Sequence, residues 1–398
     1  METLKIKNFF SSRMKKHSIS TIFDSCPKLL IIQTLQKLHN KKLRKMAKDI
    51  QEFSYKFPRT PILTILDHEG IISCVCFSPC GNYLASVGED QTIYIHSVNP
   101  HLENFGKQLM FYKRQQGKIN SVHYSSCGKY IVTGSEDKTG LVTNVDPNNQ
   151  NKYGKKLVWL TENEGVVNDA KFSPCGRVIV MVGDDKLCTV YSSILTSERF
   201  GKSINKLEDT SEVISCCFNP AGNTLATSNL NRFVTLYNMQ GSNDTFEFTK
   251  LAIITENYYA IRHVSFSNCG KLLAIGGFDL TVIVQNIDLY CDKFMKEEDI
   301  KTKEIELLKR TNIKKDRFEN DQWVLCQSFS PNGDYLVACS SSSEVQFYGV
   351  DCLKQDDYGK LVHDENLDLG FYTRTVSYSP NGKYIAVGTD SKEVLLFA

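Results

Sequence analysis

The 398-residue sequence has no apolar run long enough to cross a bilayer. Its densest early stretch is Leu29, Leu30, Ile31 and Ile32, against the roughly 20 residues that a spanning helix needs. The start, with Lys5 and Lys7, lacks the sustained apolar core of a secretory signal. Net charge is also scarce: 47 basic against 45 acidic residues leave +2, so the molecule as a whole advertises neither nucleic acid nor an anionic surface. There is no Walker phosphate loop and no dinucleotide fingerprint; Gly276-Gly277 is a lone pair. Cysteine is the residue not in short supply. There are 14, scattered singly through apolar runs and turns without a framework of close spacings. That pattern implies a reduced, intracellular protein, cytoplasmic or nuclear, whose cysteines act mostly as small apolar residues.

The small net charge hides an uneven distribution. Residues 1–60 hold 14 Lys and Arg against 4 Asp and Glu, which leaves about −8 for the remainder. Pro27 suits the first turn of a helix. From there Ile31, Ile32, Leu35, Leu38, Leu43, Met46, Ile50 and Phe53 fall on one side at 100° per residue, and Lys37, Lys41, Arg44 and Lys48 on the other. The spacing predicts a basic amphipathic helix over about 27–53, within an N-terminal extension of residues 1–57. Its apolar stripe is expected to dock on the body of the protein or on a partner protein. Membrane-surface and nucleic-acid contact are the alternatives. Lys41, Lys42, Arg44 and Lys45 also have the composition of a nuclear import signal.

What dominates the rest is one phrase. Phe77-Ser78-Pro79-Cys80-Gly81 returns as Tyr124-Ser125-Ser126-Cys127-Gly128, Phe172-Ser173-Pro174-Cys175-Gly176 and Phe218-Asn219-Pro220-Ala221-Gly222. Then come Phe266-Ser267-Asn268-Cys269-Gly270, Phe329-Ser330-Pro331-Asn332-Gly333 and Tyr378-Ser379-Pro380-Asn381-Gly382. The aromatic anchors are 47, 48, 46, 48, 63 and 49 residues apart. In each copy an alternating run, such as Ile72 to Phe77, meets a Pro/Gly turn. A second run follows, Tyr83 to Val87, then a polar turn, Gly88-Glu89-Asp90, then a third run, Thr92 to Ile95. With a variable fourth strand, a period of about 45 residues matches one propeller blade.

On these residues the chain resembles the WD40 family over roughly residues 60–398. The family's turn aspartate is matched by Asp90, Asp137, Asp185 and Asp279, more loosely by Asp390, with Asn231 at the equivalent place in blade four and only serines in blade six. Its Gly-His dipeptide survives as Asp67-His68, and its Trp-Asp dipeptide is absent: blade one has His96-Ser97 and blade two Asn144-Val145. The resemblance implies an all-β, seven-bladed propeller over residues 58–398. Residues 62–66 would supply the fourth strand of the last blade, after the third strand at Glu393 to Phe397. It also implies that His68 hydrogen-bonds Asp90 for structure.

Propellers of this family bind peptides or protein surfaces on the top face. Carried over by position, that face takes Ile71, Ser73, Lys118, Asn120, Val166 and Asn168 with the acids Glu89, Glu136 and Asp184 from blades one to three. Blades five to seven supply Arg262, Phe278, Trp323, Tyr372 and Arg374. A peptide with an apolar anchor and an acidic or phosphorylated flank suits Trp323, Arg262 and Arg374. Two alternatives belong beside this: Trp323 as a filler of the core between blades, and the arginines as partners of neighbouring acids.

No catalytic set emerges. Cys74 and Cys76 share a strand face but lack further ligands, and the turn cysteines Cys80, Cys127, Cys175 and Cys269 fall on different blades. The expectation is a non-enzymatic scaffold or adaptor without cofactor, metal or small-molecule substrate, binding other proteins or peptides as a subunit of a larger complex. A second reading rests on Thr21, Ile22, Cys26 and Leu30, which resemble the short box by which substrate receptors of cullin ubiquitin ligases grip elongin C. The charged insertion between blades five and six, about 288–320, is expected to protrude, with residues 305–308 as the fourth strand of blade five.

Overall fold

A computed structural model describes residues 60–149, 151–242, 245–255, 259–278, 281–287, 311–312, 323–350 and 367–398. The segment 27–53, the box at residues 21–30, Asp279 and residues 305–308 lie outside these.

The repeated phrase folds as a turn, and its serine and glycine each have a task. Its serine accepts the backbone N–H five residues on: Tyr83 N–H to Ser78 Oγ at 3.0 Å, Tyr130 to Ser125 at 3.1 Å, Tyr384 to Ser379 at 2.8 Å. In the fourth copy Asn219 Oδ1 accepts Thr224 N–H at 3.0 Å. The glycine of all seven copies has φ between 68° and 75°, a region that a Cβ would strain. A chain reversed in so few residues brings the flanking runs side by side, so they pair antiparallel.

Among the described residues this gives 28 strands. β1 (Leu63–Ile65) comes first. Blade one is β2 (Ile72–Phe77), β3 (Tyr83–Gly88), β4 (Thr92–Ser97) and β5 (Gln108–Lys113). Blade two is β6 (Ile119–Tyr124), β7 (Tyr130–Ser135), β8 (Gly140–Asn144) and β9 (Lys156–Leu160). Blade three is β10 (Val167–Phe172), β11 (Val178–Gly183), β12 (Leu187–Ser192) and β13 (Ser203–Glu208). Blade four is β14 (Val213–Phe218), β15 (Thr224–Asn229), β16 (Val234–Ser242) and β17 (Thr245–Ile254). Blade five is β18 (Ile261–Phe266), β19 (Leu272–Gly277), β20 (Thr281–Asn286) and β21 (Thr311–Asn312), the last pairing on β20 with Asn312 opposite Thr281. Blade six is β22 (Val324–Phe329), β23 (Tyr335–Ser340), β24 (Glu344–Gly349) and β25 (Leu367–Asp368). Blade seven is β26 (Thr373–Tyr378), β27 (Ile385–Thr389) and β28 (Val394–Phe397), and β1 completes it, Leu63 opposite Leu396 and Ile65 opposite Val394. The result is seven four-stranded antiparallel sheets whose inner strands touch in order, β26 closing on β2. The protein is an all-β, seven-bladed propeller.

The core lies between the blades. Ala85, Val87, Ile93 and Ile95 of blade one pack on Ile119, Val122, Tyr124 and Ile131 of blade two. Leu272, Ala274, Val282 and Val284 of blade five meet Val324, Phe329, Leu336 and Ala338 of blade six. Covered on both faces, a middle strand such as β11 is buried along its whole length, which explains its unbroken Val-Ile-Val-Met-Val run.

At the opposite end of the blades, the turn aspartates stabilise a strained residue. Gln91, Lys138 and Lys186 have φ of 64°, 70° and 64°, costing about 1–2 kcal/mol each for a side-chain-bearing residue. Asp90, Asp137 and Asp185 offset this by accepting the N–H of Thr92, Thr139 and Leu187 at 3.0, 3.0 and 3.2 Å. In blade seven the assignment of this slot to Asp390 needs correction. There the left-handed residue is Lys392, with φ of 72°, so the slot belongs to Ser391, 2.7 Å from Thr389 Oγ1. Asp390 sits one place earlier, where the other blades have Glu89, Glu136 and Asp184.

Candidate partner-binding face and central channel

Every inner strand begins with a bulge. The register slips between Ile72 and Cys74, and likewise between Ile119/Ser121, Val167/Asp169, Val213/Ser215, Ile261/His263, Val324/Cys326 and Thr373/Thr375. The skipped residue is left out of the ladder and re-aimed. These residues are Ser73, Asn120, Asn168, Ile214, Arg262, Leu325 and Arg374, and all seven line a central channel of about 660 Å³.

A second repeated contact builds the rim. The residue before the turn slot donates its N–H to the carbonyl just ahead of the inner strand: Glu89 to Ile71 at 2.9 Å, Glu136 to Lys118 at 2.9 Å, Asp184 to Val166 at 3.0 Å, Phe278 to Ala260 at 3.0 Å, Ser341 to Trp323 at 2.8 Å and Asp390 to Tyr372 at 3.0 Å. Arg262, Phe278, Trp323, Tyr372, Arg374, Glu89, Glu136 and Asp184 thus all stand at one end of their blades, around the channel mouth.

On blades one to four several of the rim and channel polar groups pair with one another, although Ser73 Oγ is buried without a described partner. Glu89 Oε1 meets Lys118 Nζ at 3.3 Å. Asn168 Nδ2 donates to Asp184 Oδ1 at 2.8 Å and to Val213 O at 3.0 Å, and Asn120 Nδ2 to Val167 O at 3.0 Å. Deeper, Asp169 meets Lys171 Nζ at 3.1 Å and accepts Ser215 Oγ–H at 3.2 Å and Cys216 N–H at 3.1 Å. Burial opposes the Asp169 charge, but Lys171 and the Cys216 N–H outweigh it and hold its pKa below the ordinary range. Burial likewise opposes the Lys171 charge, and Asp169 more than reverses it, raising that pKa.

Blades five to seven differ. Arg262 and Arg374 are exposed at the mouth, and neither makes an ion pair with a described acid. Desolvation by the channel walls, and then the Arg374 charge, lower the Arg262 pKa. Trp323 is 44% exposed, its ring edge-on to Phe278 with centroids 4.8 Å apart, and Tyr372 is 57% exposed. Two further exposed aromatics, Tyr259 and Phe371, escaped the sequence reading. Their signal is a swap at one place in the repeat. Where they stand, blades one to three have Gly70, Gly117 and Gly165, at which an added Cβ would lie 2.7, 2.7 and 2.5 Å from the turn-aspartate N–H nitrogen.

One constellation has the shape of a hydrolytic triad. His68 Nδ1 donates to Asp90 Oδ2 at 2.7 Å, and its Nε2 meets Ser86 Oγ at 2.8 Å. Burial opposes the Asp90 charge, and hydrogen bonds from His68, Thr92 and Glu69 overcome it and lower the pKa. A nucleophile must be reachable, however, and Ser86 is 1% exposed, with Tyr94 packed edge-on against His68 at 4.6 Å. The set fastens the lead-in of β2 to β3 and its turn. Blades two and three rebuild it with other residues. Thr133 Oγ1–H donates to Gln115 Oε1 at 2.7 Å; Asn163 Nδ2 donates to Asp185 Oδ2 at 3.2 Å and Tyr191 OH to Asn163 Oδ1 at 2.9 Å. Gln115 and Asn163 share no residue type with His68, but each stands as far ahead of its turn aspartate as His68 does, a spacing readable in the sequence.

At the other end of the ring Cys80, Cys127, Cys175 and Cys269 are exposed, each 3.2–3.3 Å from the serine hydroxyl of its own turn. Among the described residues no three His, Cys, Asp or Glu side chains group as a metal site requires, and no helix is long and apolar enough to cross a membrane.

The family model described as WD domain, G-beta repeat matches residues 59–97, 106–142, 201–238 and 314–348. A probable cytosolic iron-sulfur protein assembly protein CIAO1 homolog of Caenorhabditis elegans is 26% identical over 146 residues, 36% of this chain and 38% of that protein. An uncharacterized WD repeat-containing protein of Schizosaccharomyces pombe is 48% identical over 40 residues, 10% of this chain and 5% of that protein. The chain thus spans well under half the length of either relative.

Proposed function

The chain belongs to the WD40-repeat family, and from that premise we propose that it is a non-enzymatic interaction scaffold that engages partner proteins across the channel mouth of blades five to seven. The observation that carries this is the asymmetry of the rim. Arg262 and Arg374 have no acid partner among the described residues, while the rim acids Glu89 and Asp184 are already engaged. A guanidinium without a described counter-ion, beside exposed aromatic surface, favours a peptide that carries a carboxylate or phosphate next to an apolar side chain. Trp323, Tyr372 and Phe278 supply the apolar wall, and Trp, Tyr and Arg are the types on which binding energy concentrates. The relative named for cytosolic iron-sulfur protein assembly supports a subunit of a cytoplasmic multiprotein assembly.

The test is affinity capture from the source cell with mass-spectrometric readout, using the full-length protein, residues 58–398 and a Trp323→Ala/Arg374→Ala double variant. Loss of one set of proteins with the double variant, and their retention by residues 58–398, supports the reading. Equal recovery by all three places binding elsewhere and removes this face from the function.

A further inference from the structure

Below the rim, blades five, six and seven bring a thiol, an imidazole and a second thiol together. The residue after the bulge is His263 in blade five, Cys326 in blade six and Thr375 in blade seven. Cys326 Sγ lies 3.9 Å from His263 Nε2, accepts the Thr375 hydroxyl at 3.9 Å and donates to Val376 O at 3.5 Å. It is half-buried and lines the channel, so a small solute reaches it from the mouth. His263 Nδ1 is buried with no hydrogen-bond partner among the described residues, so Nε2 makes the ring's polar contact, to Cys326. Arg262 and Arg374, one residue from His263 and Thr375, add positive charge above. Thiolates form in such electropositive, reachable places.

The second thiol belongs to the same sheet. Cys339 of β23 is buried and stands directly opposite Cys326 of β22. Opposed residues of an antiparallel pair have Cβ atoms about 4.5–5.5 Å apart, and a disulfide needs about 3.5–4.5 Å, so a shift of about 1 Å joins them. The hydrogen bond from Cys339 and then the adjacent His263 overcome burial and lower the Cys326 pKa. Burial raises that of Cys339. Attacking thiolate and resolving thiol are thereby distinguished.

We propose that Cys326 and Cys339 form a peroxide-oxidisable pair in the channel, with Cys326 as the attacking thiolate, His263 as its positioning partner and Cys339 as the resolving thiol. The Cys326 thiolate attacks a hydroperoxide: an S–O bond forms, the O–O bond breaks, and the departing oxygen takes a proton from channel solvent and leaves as water or alcohol. Cys326 is oxidised by two electrons to a sulfenic acid, and the peroxide is reduced. The Cys339 sulfur then attacks Cys326; the S–S bond forms, the S–O bond breaks, and water leaves with the Cys339 proton. This site is independent of the partner reading and would survive its failure.

The experiment uses reduced full-length protein and an equimolar dose of hydrogen peroxide, with alkylation of remaining thiols and non-reducing peptide mass spectrometry over time. The four exposed turn cysteines, none of which contacts a described imidazole, are controls in the same tube. The expected result is a Cys326–Cys339 cross-link two hydrogens lighter than the separate peptides, formed before oxidation of Cys80, Cys127, Cys175 or Cys269. Cys339→Ser should halt at a sulfenic acid on Cys326, trapped by a cyclic 1,3-diketone. His263→Gln should slow Cys326 about tenfold through its smaller thiolate fraction and leave the turn cysteines unchanged. Oxidation of the turn cysteines while Cys326 and Cys339 both remain thiols overturns the proposal. A cross-link that forms equally fast in His263→Gln removes the positioning role. The wild-type time course decides the main point even if a variant fails to fold.

Discussion

Blades two and three and blades five and seven share one backbone and differ in what they do with the residue the bulge turns inward. On the first side Asn120 and Asn168 reach across to the carbonyls of Val167 and Val213, and Asp169 joins Lys171 to Ser215 and Cys216. On the second the same position carries Arg262 and Arg374, which find no described acid. The ring geometry is therefore indifferent to the side chain, and the side chain decides whether a stretch of the mouth is closed on itself or left to meet something else.

The comparison breaks most sharply at Asp169. Asp169→Ala strands the Lys171 charge and removes an acceptor between blades three and four, so urea unfolding should show a loss of about 3–5 kcal/mol. Arg262→Ala relieves a like-charge contact and should leave stability unchanged or slightly higher. Equal losses for the two would refute the division. Next in size is binding. With a captured partner, Trp323→Ala/Arg374→Ala should weaken titrated affinity by about 2–4 kcal/mol, whereas Glu89→Gln/Asp184→Asn should change it by less than about twofold, because those acids are already engaged.

A third outcome sharpens the paired side through pH. Burial, then the Lys171 charge, lowers the His123 pKa to about 4. A histidine with a folded pKa below its unfolded value of about 6.5 is kept neutral by the fold. Its contribution is complete above about pH 6.5 and is lost as pH falls towards 4, by on the order of 2–3 kcal/mol once channel water is allowed for. His123→Gln should flatten that limb in denaturant midpoints measured between pH 7 and 4. The smallest effect belongs to the rim pair. Lys118→Ala, which removes a half-exposed contact to Glu89, should cost under about 0.5 kcal/mol in the same assay and still less at high salt.

How much of this was legible follows from which features carry their own local physics. The Ser-Pro-Cys-Gly turn does: hydroxyl, positive φ and chain reversal are all written into five residues, so seven blades can be counted without any signature dipeptide. The exposed Trp323 and the converging arginines follow from position within the repeat. The bulge is not legible, because an extra residue in a strand has no composition of its own. Strict alternation turns only one of Ser73 and Cys74 to the channel, yet both line it. Gln115, Asn163 and the true slot of blade seven escaped for a related reason. Residue type was the guide, while the chain keeps only the spacing and fills it with whatever bonds the turn. Tyr259 and Phe371 stand where three other blades have glycine, a contrast visible only once the copies are aligned through their backbone contacts.

The pairing of β1 with β28 also sets an order of events during synthesis. Each of blades one to six is built from four strands that follow one another, so it can assemble as it emerges. The seventh waits, because Val394–Phe397 must return to a strand made some three hundred residues earlier. Until then β2 and β26 face water and β28 has a bare edge, the kind of surface on which chains mispair. The clasp that holds the finished ring together is thus made only after all seven blades have emerged, and the nascent ring is most prone to mispair while it still waits for that strand.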